Sequence, residues 1–189
     1  MRAERATEVR LHGLEQGFTL LEVLISMFVL TIGLVSMLGV FGTAMAATQS
    51  AQQDMIAKQL AQQAMETIYT ARETANITWD QIQNVGGAGT PGIFRTGLQP
   101  VKQVGTDGLY DSINDGGSAA QTMTLPGPDG IVGTADDVTI PLTNFQRSIT
   151  LTNTASADLR AVTIIVQYNT PQFKIPKQYV LSGFISQYR

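Results

Sequence analysis

The chain has 189 residues, a formal net charge of −3 and a pI near 5.0, so no basic field points to nucleic acid. It has no cysteine and one histidine, His12, which excludes disulfides, thiol chemistry and cysteine-ligated metal. Little is left for nucleophilic or zinc catalysis.

Taken in chain order, the first 17 residues carry Arg2, Arg5 and Arg10 beside Glu4, Glu8 and Glu15. An apolar run follows. From Val23 to Gln53 there is no charged residue, and Phe18 to Ala47 is mostly Leu, Val, Ile, Met, Phe and Ala. About 20 such residues cross a bilayer as a helix. A core helix of a soluble protein would show a polar face, and none appears before Thr48. A secretory signal has a shorter apolar region and a small-residue cut site. Here Ala44, Ala46 and Ala47 follow the run, but the helical pattern continues through them. The Arg-bearing flank is expected to stay cytoplasmic, with the rest of the chain outside. One acid, Glu22, sits at the start of the run. Intramembrane acids are rare, costly and usually functional.

The stretch Gly17-Phe18-Thr19-Leu20-Leu21-Glu22-Val23-Leu24, with the long apolar helix behind it, resembles the prepilin motif of type IV pilins and type II secretion pseudopilins. The resemblance covers residues 13 to about 50. It implies that a membrane prepilin peptidase cuts between Gly17 and Phe18 and methylates the new amine of Phe18. Residues 1–17 are then a cleaved leader. The implied partners are this peptidase, an inner-membrane assembly platform and other pilins or pseudopilins. In a filament of parallel helices, Glu22 of one subunit can face the Phe18 amine of the next. Low dielectric strengthens that pairing and penalises the unpaired acid, so the pair would set axial register. The plainer alternative is a signal anchor whose Glu22 snorkels to water.

Residues 48–84 form the second half of the helix and its exit. No Gly or Pro occurs between 43 and 85, and Met55, Ile56, Leu60, Ala64, Met65, Ile68 and Tyr69 form an amphipathic stripe. The helix is expected from Phe18 to about Arg72, with the C-terminal half of the chain covering the stripe. Gly33, Gly39 and Gly42 interrupt the membrane part; they suit close helix packing or local melting, and small residues are also simply common in membrane helices. Many relatives carry a helix-breaking proline where this chain has Gly39. Trp79 is expected to pack against the helix.

Residues 85–189 read as a loop-rich antiparallel β domain, starting with the Gly- and Pro-rich loop 85–92. Strands are expected at Val138–Pro141, Phe145–Asn153, Arg160–Tyr168 and Tyr179–Gln187, with turns at Asn153–Ser156 and Asn169–Pro171. Short connections favour one antiparallel sheet of about four strands. One face should meet the helix and the other solvent or neighbours. This is an α+β, pilin-like fold.

Asp129, Asp136 and Asp137 lie in the loop PGPDGIVGTADDV, residues 126–138. Three carboxylates near two glycines suit calcium, although the spacing is not that of an EF-hand. The loop is similar to the Asp-Gly…Gly-Thr…Asp-Asp loop of major pseudopilins, which binds calcium. A solvated turn is the alternative. Asp107, Asp111 and Asp115 form a second acidic loop, read as a solvated one. No catalytic constellation is present, no cofactor is required, and Lys174, Lys177 and Arg189 are too few for a nucleic-acid footprint.

The sequence therefore reads as a non-enzymatic minor pilin of a type IV pilus in a bacterial inner membrane. It would cross once, with its C-terminal domain periplasmic, and then enter a cell-surface pilus or a periplasmic pseudopilus. The alternatives are a minor pseudopilin of type II secretion and a membrane-anchored binding module for DNA uptake or adhesion. The binding module would need a basic or aromatic stripe on its sheet, and the sequence shows none.

Overall fold

A computed structural model of the chain describes residues 17–86, 92–115, 117–170 and 175–188. Within these, one helix, α1, spans Leu20–Glu73. Six strands follow: β1 Gln99–Pro100, β2 Thr122–Leu125, β3 Val138–Pro141, β4 Phe145–Asn153, β5 Leu159–Tyr168 and β6 Lys177–Ser186. The chain divides into two compact units, 1–45 and 46–189. Most of the leader, 1–16, and part of the glycine loop, 87–91, lie outside the described residues, as do Lys174 and Arg189.

In the first unit, α1 is unbroken through Gly33 and Gly39 to Gly42. Ser26, Thr31, Ser36 and Thr43 each donate their hydroxyl to a carbonyl three or four residues back, at 2.7–2.9 Å. These four hydroxyls are thereby satisfied without water, as hydrocarbon surroundings demand.

In the second unit, the later turns of α1 bury Ala57, Leu60, Ala61, Ala64, Met65, Ile68 and Ala71. The expected stripe is thus shifted toward alanine. Met55 is 67% exposed, while Ala57, Ala61 and Ala71 face the core. Small side chains at three- and four-residue steps make up much of the buried face, which a hydrophobicity pattern alone does not reveal. At β6, a Cβ on Gly183 would lie 3.0 Å from the Tyr69 hydroxyl and 3.3 Å from Met65 Cε.

The main sheet has the order β1-β4-β5-β6 and is antiparallel throughout. Its inner face supplies Ile149, Val162, Ile164, Val166 and Ile185 to the core. Its outer face leaves Val180 and Phe184 exposed. Four strands were expected, but Val138–Pro141 is not among them. It pairs with β2 in a separate two-stranded sheet, and Gln99–Pro100 takes the place beside β4. The upper edge of β4 is closed by a side chain. Asn84 accepts from Leu151 N–H at 2.8 Å and donates to the Ile149 carbonyl at 2.7 Å.

Two ties hold α1 to β5 and β6. The Tyr168 hydroxyl donates to Asp54, and Lys177 Nζ reaches Ser50 Oγ at 2.8 Å and Asp54 Oδ2 at 3.4 Å. Fifteen residues further along α1, the Tyr69 hydroxyl donates to the Phe184 carbonyl at 2.9 Å.

Candidate functional site

The structure places the predicted processing residues at the start of α1. Gly17, Phe18 and Thr19 are non-helical, and the helix begins at Leu20. The first helical bond runs from Val23 N–H to the Thr19 carbonyl at 3.2 Å. Glu22 N–H donates to Thr19 Oγ1, also at 3.2 Å. Phe18 is 83% exposed, and Glu22 is exposed in the first turn. The apolar side chains that follow, from Leu20 to Met45, are likewise exposed. Among the described residues α1 is the one helix long and apolar enough to cross a membrane, and its most apolar window has no side chain buried within the chain. Such a surface requires lipid or neighbouring helices around it.

The three loop acids are engaged with their own loop. Asp129 Oδ1 accepts from Ile131 N–H at 2.9 Å. Asp136 Oδ1 accepts from the Thr134 hydroxyl at 2.7 Å, and its Oδ2 from Asp129 N–H at 3.4 Å. Asp137 Oδ2 accepts from Gly133 N–H at 2.6 Å. The Thr134 hydrogen bond, with burial working against it, holds the Asp136 carboxyl below the usual range. Gly130 and Gly133 take the positive φ values, 71° and 101°, that shape the turn. Gly127 lies against Asp136, where a Cβ would collide. Among the described residues no group of three or more His, Asp or Glu side chains is placed to hold a metal. The carboxylates cap turns and do not converge on one point. The second oxygen of Asp137, Oδ1, is buried without a hydrogen-bond partner.

The second acidic loop is not the solvated loop expected from sequence. Asp111 and Asp115 are 1% and 3% exposed. Asp111 forms a 2.5 Å ion pair with Arg147, which is fully buried. Arg147 also donates to the Leu60 carbonyl at 3.3 Å and lies 4.5 Å over the Tyr110 ring. Burial pushes the Asp111 carboxyl up, and the Arg147 charge offsets this only in part. The pair is single-pronged: Asp111 Oδ1 and Arg147 Nη2 are buried without partners. Asp115 pairs with Arg95 at 3.3 Å. Asp107 caps its own loop through Leu109 N–H and the Asn114 amide, both at 3.1 Å. The signal missed was the inward register of Arg147 on β4, one residue of three inward-facing neighbours in FQRSI.

Trp79 is half-buried against the core to which α1 contributes. Its ring carries the Arg160 guanidinium of β5 at 4.2 Å, and Arg160 donates to the Trp79 and Ile82 carbonyls. Burial lowers the Arg160 pKa, opposed by the Asp80 charge. A groove of about 400 Å³ lies along α1, lined by Gln63, Glu66, Thr67, Thr70, Thr74 and Tyr110 among others. It contains none of the predicted site residues.

A non-helical Gly-Phe dipeptide, a first-turn acid and an exposed apolar helix define a pilin-like start. A family model described as the prokaryotic N-terminal methylation motif matches residues 14–38. That motif is the type IV pilin and pseudopilin signature, and the chain carries it together with a helix packed on an antiparallel sheet. No curated protein and no solved structure matches the chain.

Proposed function

We propose that the chain is a structural, minor subunit of a type IV pilus. It is anchored once in the inner membrane by residues 18–47, with the β domain on the periplasmic side. A prepilin peptidase removes residues 1–17 and methylates Phe18. The mature subunit then primes or modifies a filament of pilins delivered by the assembly platform, with Glu22 facing the Phe18 amine of a neighbour. The observation that carries this reading is the methylation motif at 14–38, whose Gly17–Phe18 bond lies outside the helix and whose acid lies in its first turn. The exposed apolar helix supports it, since that surface needs lipid before assembly and other helices after it.

The second reading is a minor pseudopilin of a type II secretion system. The observation favouring it is the Asp-Gly…Gly-Thr…Asp-Asp loop at 129–137. A DNA-binding module finds no support in the main sheet. Arg147 and Arg160 are buried in it, and its outer face presents Val180 and Phe184 instead of a basic stripe.

The test is intact mass and N-terminal sequencing of the protein from its native membrane, beside a Gly17→Ala variant. The expected product starts at methylated Phe18, and the variant stays uncut. A chain that keeps Met1, or is cut after Ala47, would remove the reading.

A further inference from the structure

We infer that Thr19 is a positioning residue for processing: as the N-cap of α1, it stops the helix short of the scissile bond and holds Gly17–Phe18 non-helical for the peptidase. The inference rests on the proposed processing and adds a residue to it.

The geometry is that of an N-cap. Thr19 is outside the helix, yet its carbonyl accepts the first helical bond and its hydroxyl oxygen accepts from the amide of Glu22. Glu22 is the third helical residue, so Thr19-Leu20-Leu21-Glu22 has the Thr-x-x-Glu spacing of a capping box. Phe18 and Val23 fill the two positions of a hydrophobic staple, which fixes the angle at which the chain enters a helix. The residue types of FTLLEV therefore also match a helix-start signal, of which the structure shows the Thr19 cap. A carboxylate in the first turn is favoured by the helix dipole as well.

A start signal is needed here. Upstream, Leu14, Glu15 and Gln16 are good helix formers by type, and Gly17 alone among the residues before Phe18 opposes propagation from them. A peptide bond inside a helix has its carbonyl bonded four residues on and wrapped by side chains. A peptidase cannot reach that carbonyl without first unwinding the turn. Capping at Thr19 fixes the boundary two residues beyond Gly17, so the cut falls in non-helical chain at a constant distance from the membrane helix. Glu22 supplies its backbone N–H to this cap, and its carboxylate stays available as the charge partner after assembly.

The test measures cleavage of the full-length precursor in detergent by prepilin peptidase, followed by mass. Thr19→Val keeps the side-chain shape and removes the oxygen. Thr19→Ser and Thr19→Asn keep a capping oxygen. Loss of an N-cap implies a fall in kcat/KM of about five- to tenfold for Thr19→Val. The serine and asparagine variants should cleave at the wild-type rate or faster, because they cap at least as well. Wild-type rates for Thr19→Val would overturn the inference, and so would serine and asparagine variants as slow as valine. An uncut wild type would instead remove the processing reading itself, which keeps the two failures apart.

Discussion

Replacing Arg147 with methionine tests what the buried ion pair contributes. Methionine keeps much of the apolar stem and leaves Asp111 buried without its cation. Breaking a buried pair from one side costs about 3–5 kcal/mol. The Leu60 carbonyl also loses its donor and the Tyr110 ring its cation. For a domain of this size each kcal/mol moves the melting temperature by about 2–4 °C, so the drop should be about 6–20 °C near neutral pH. The penalty should depend on pH. Burial already raises the Asp111 pKa, and Arg147 holds it down. Without Arg147 the folded-state value rises further. A carboxyl raised in the folded state is favourable below its unfolded pKa of about 3.9, and that benefit is lost as pH rises through the folded value. The variant should therefore be most destabilised near neutrality and recover toward the wild type as pH falls through the acid range. Thermal unfolding by circular dichroism, at several pH values in detergent, reads both effects. A second substitution, Asp111→Asn, should restore most of the loss at neutral pH. A cost below about 1 kcal/mol, or one that stays constant with pH, would refute the reasoning.

Asn84→Ala should remove the side chain that closes the β4 edge and cost about 1–3 kcal/mol through the unpaired Leu151 amide; hydrogen exchange of that amide should speed up well before the β4–β5 ladder changes. For the loop at 126–138, the hydrogen-bonded arrangement predicts no response to calcium up to about 1 mM, the weak end of the range for extracellular sites. Saturable shifts of the Gly133 and Ile131 amides, lost in Asp137→Asn, would overturn that and establish calcium binding at the loop.

Much of the fold was legible because the signals were periodic. Phe145–Asn153 is found at its expected limits, and β5 and β6 differ from theirs by one or two residues, since alternation of β-branched and polar residues marks a strand with one buried face. Helix α1 starts two residues later than expected because Thr19 caps it, and ends one residue later. The pairing of β3 was not legible. Four exposed residues carry no pattern that distinguishes the edge of the main sheet from a separate hairpin, and its partner Thr122–Leu125 sits in a stretch that reads as loop. Gly17, Phe18 and Glu22 were legible as a motif, because their spacing is fixed in a single segment. Asp111 and Arg147 were not, because they are 36 residues apart and each alone reads as a surface charge. Pairing a left-handed Asp111, φ 54°, with an inward Arg147 is a tertiary fact.

The two ties between α1 and the sheet have a mechanical consequence. One is at Asp54 and the other at Tyr69, so they grip the helix at points several turns apart. A pull along the helix axis would load them together in shear, with the alanine-lined contact between them resisting sliding over its whole length. Bonds loaded in parallel share the force and must fail together. Bonds peeled in series fail one at a time and at lower force. A force on α1 would therefore reach β5 and β6 through both ties at once.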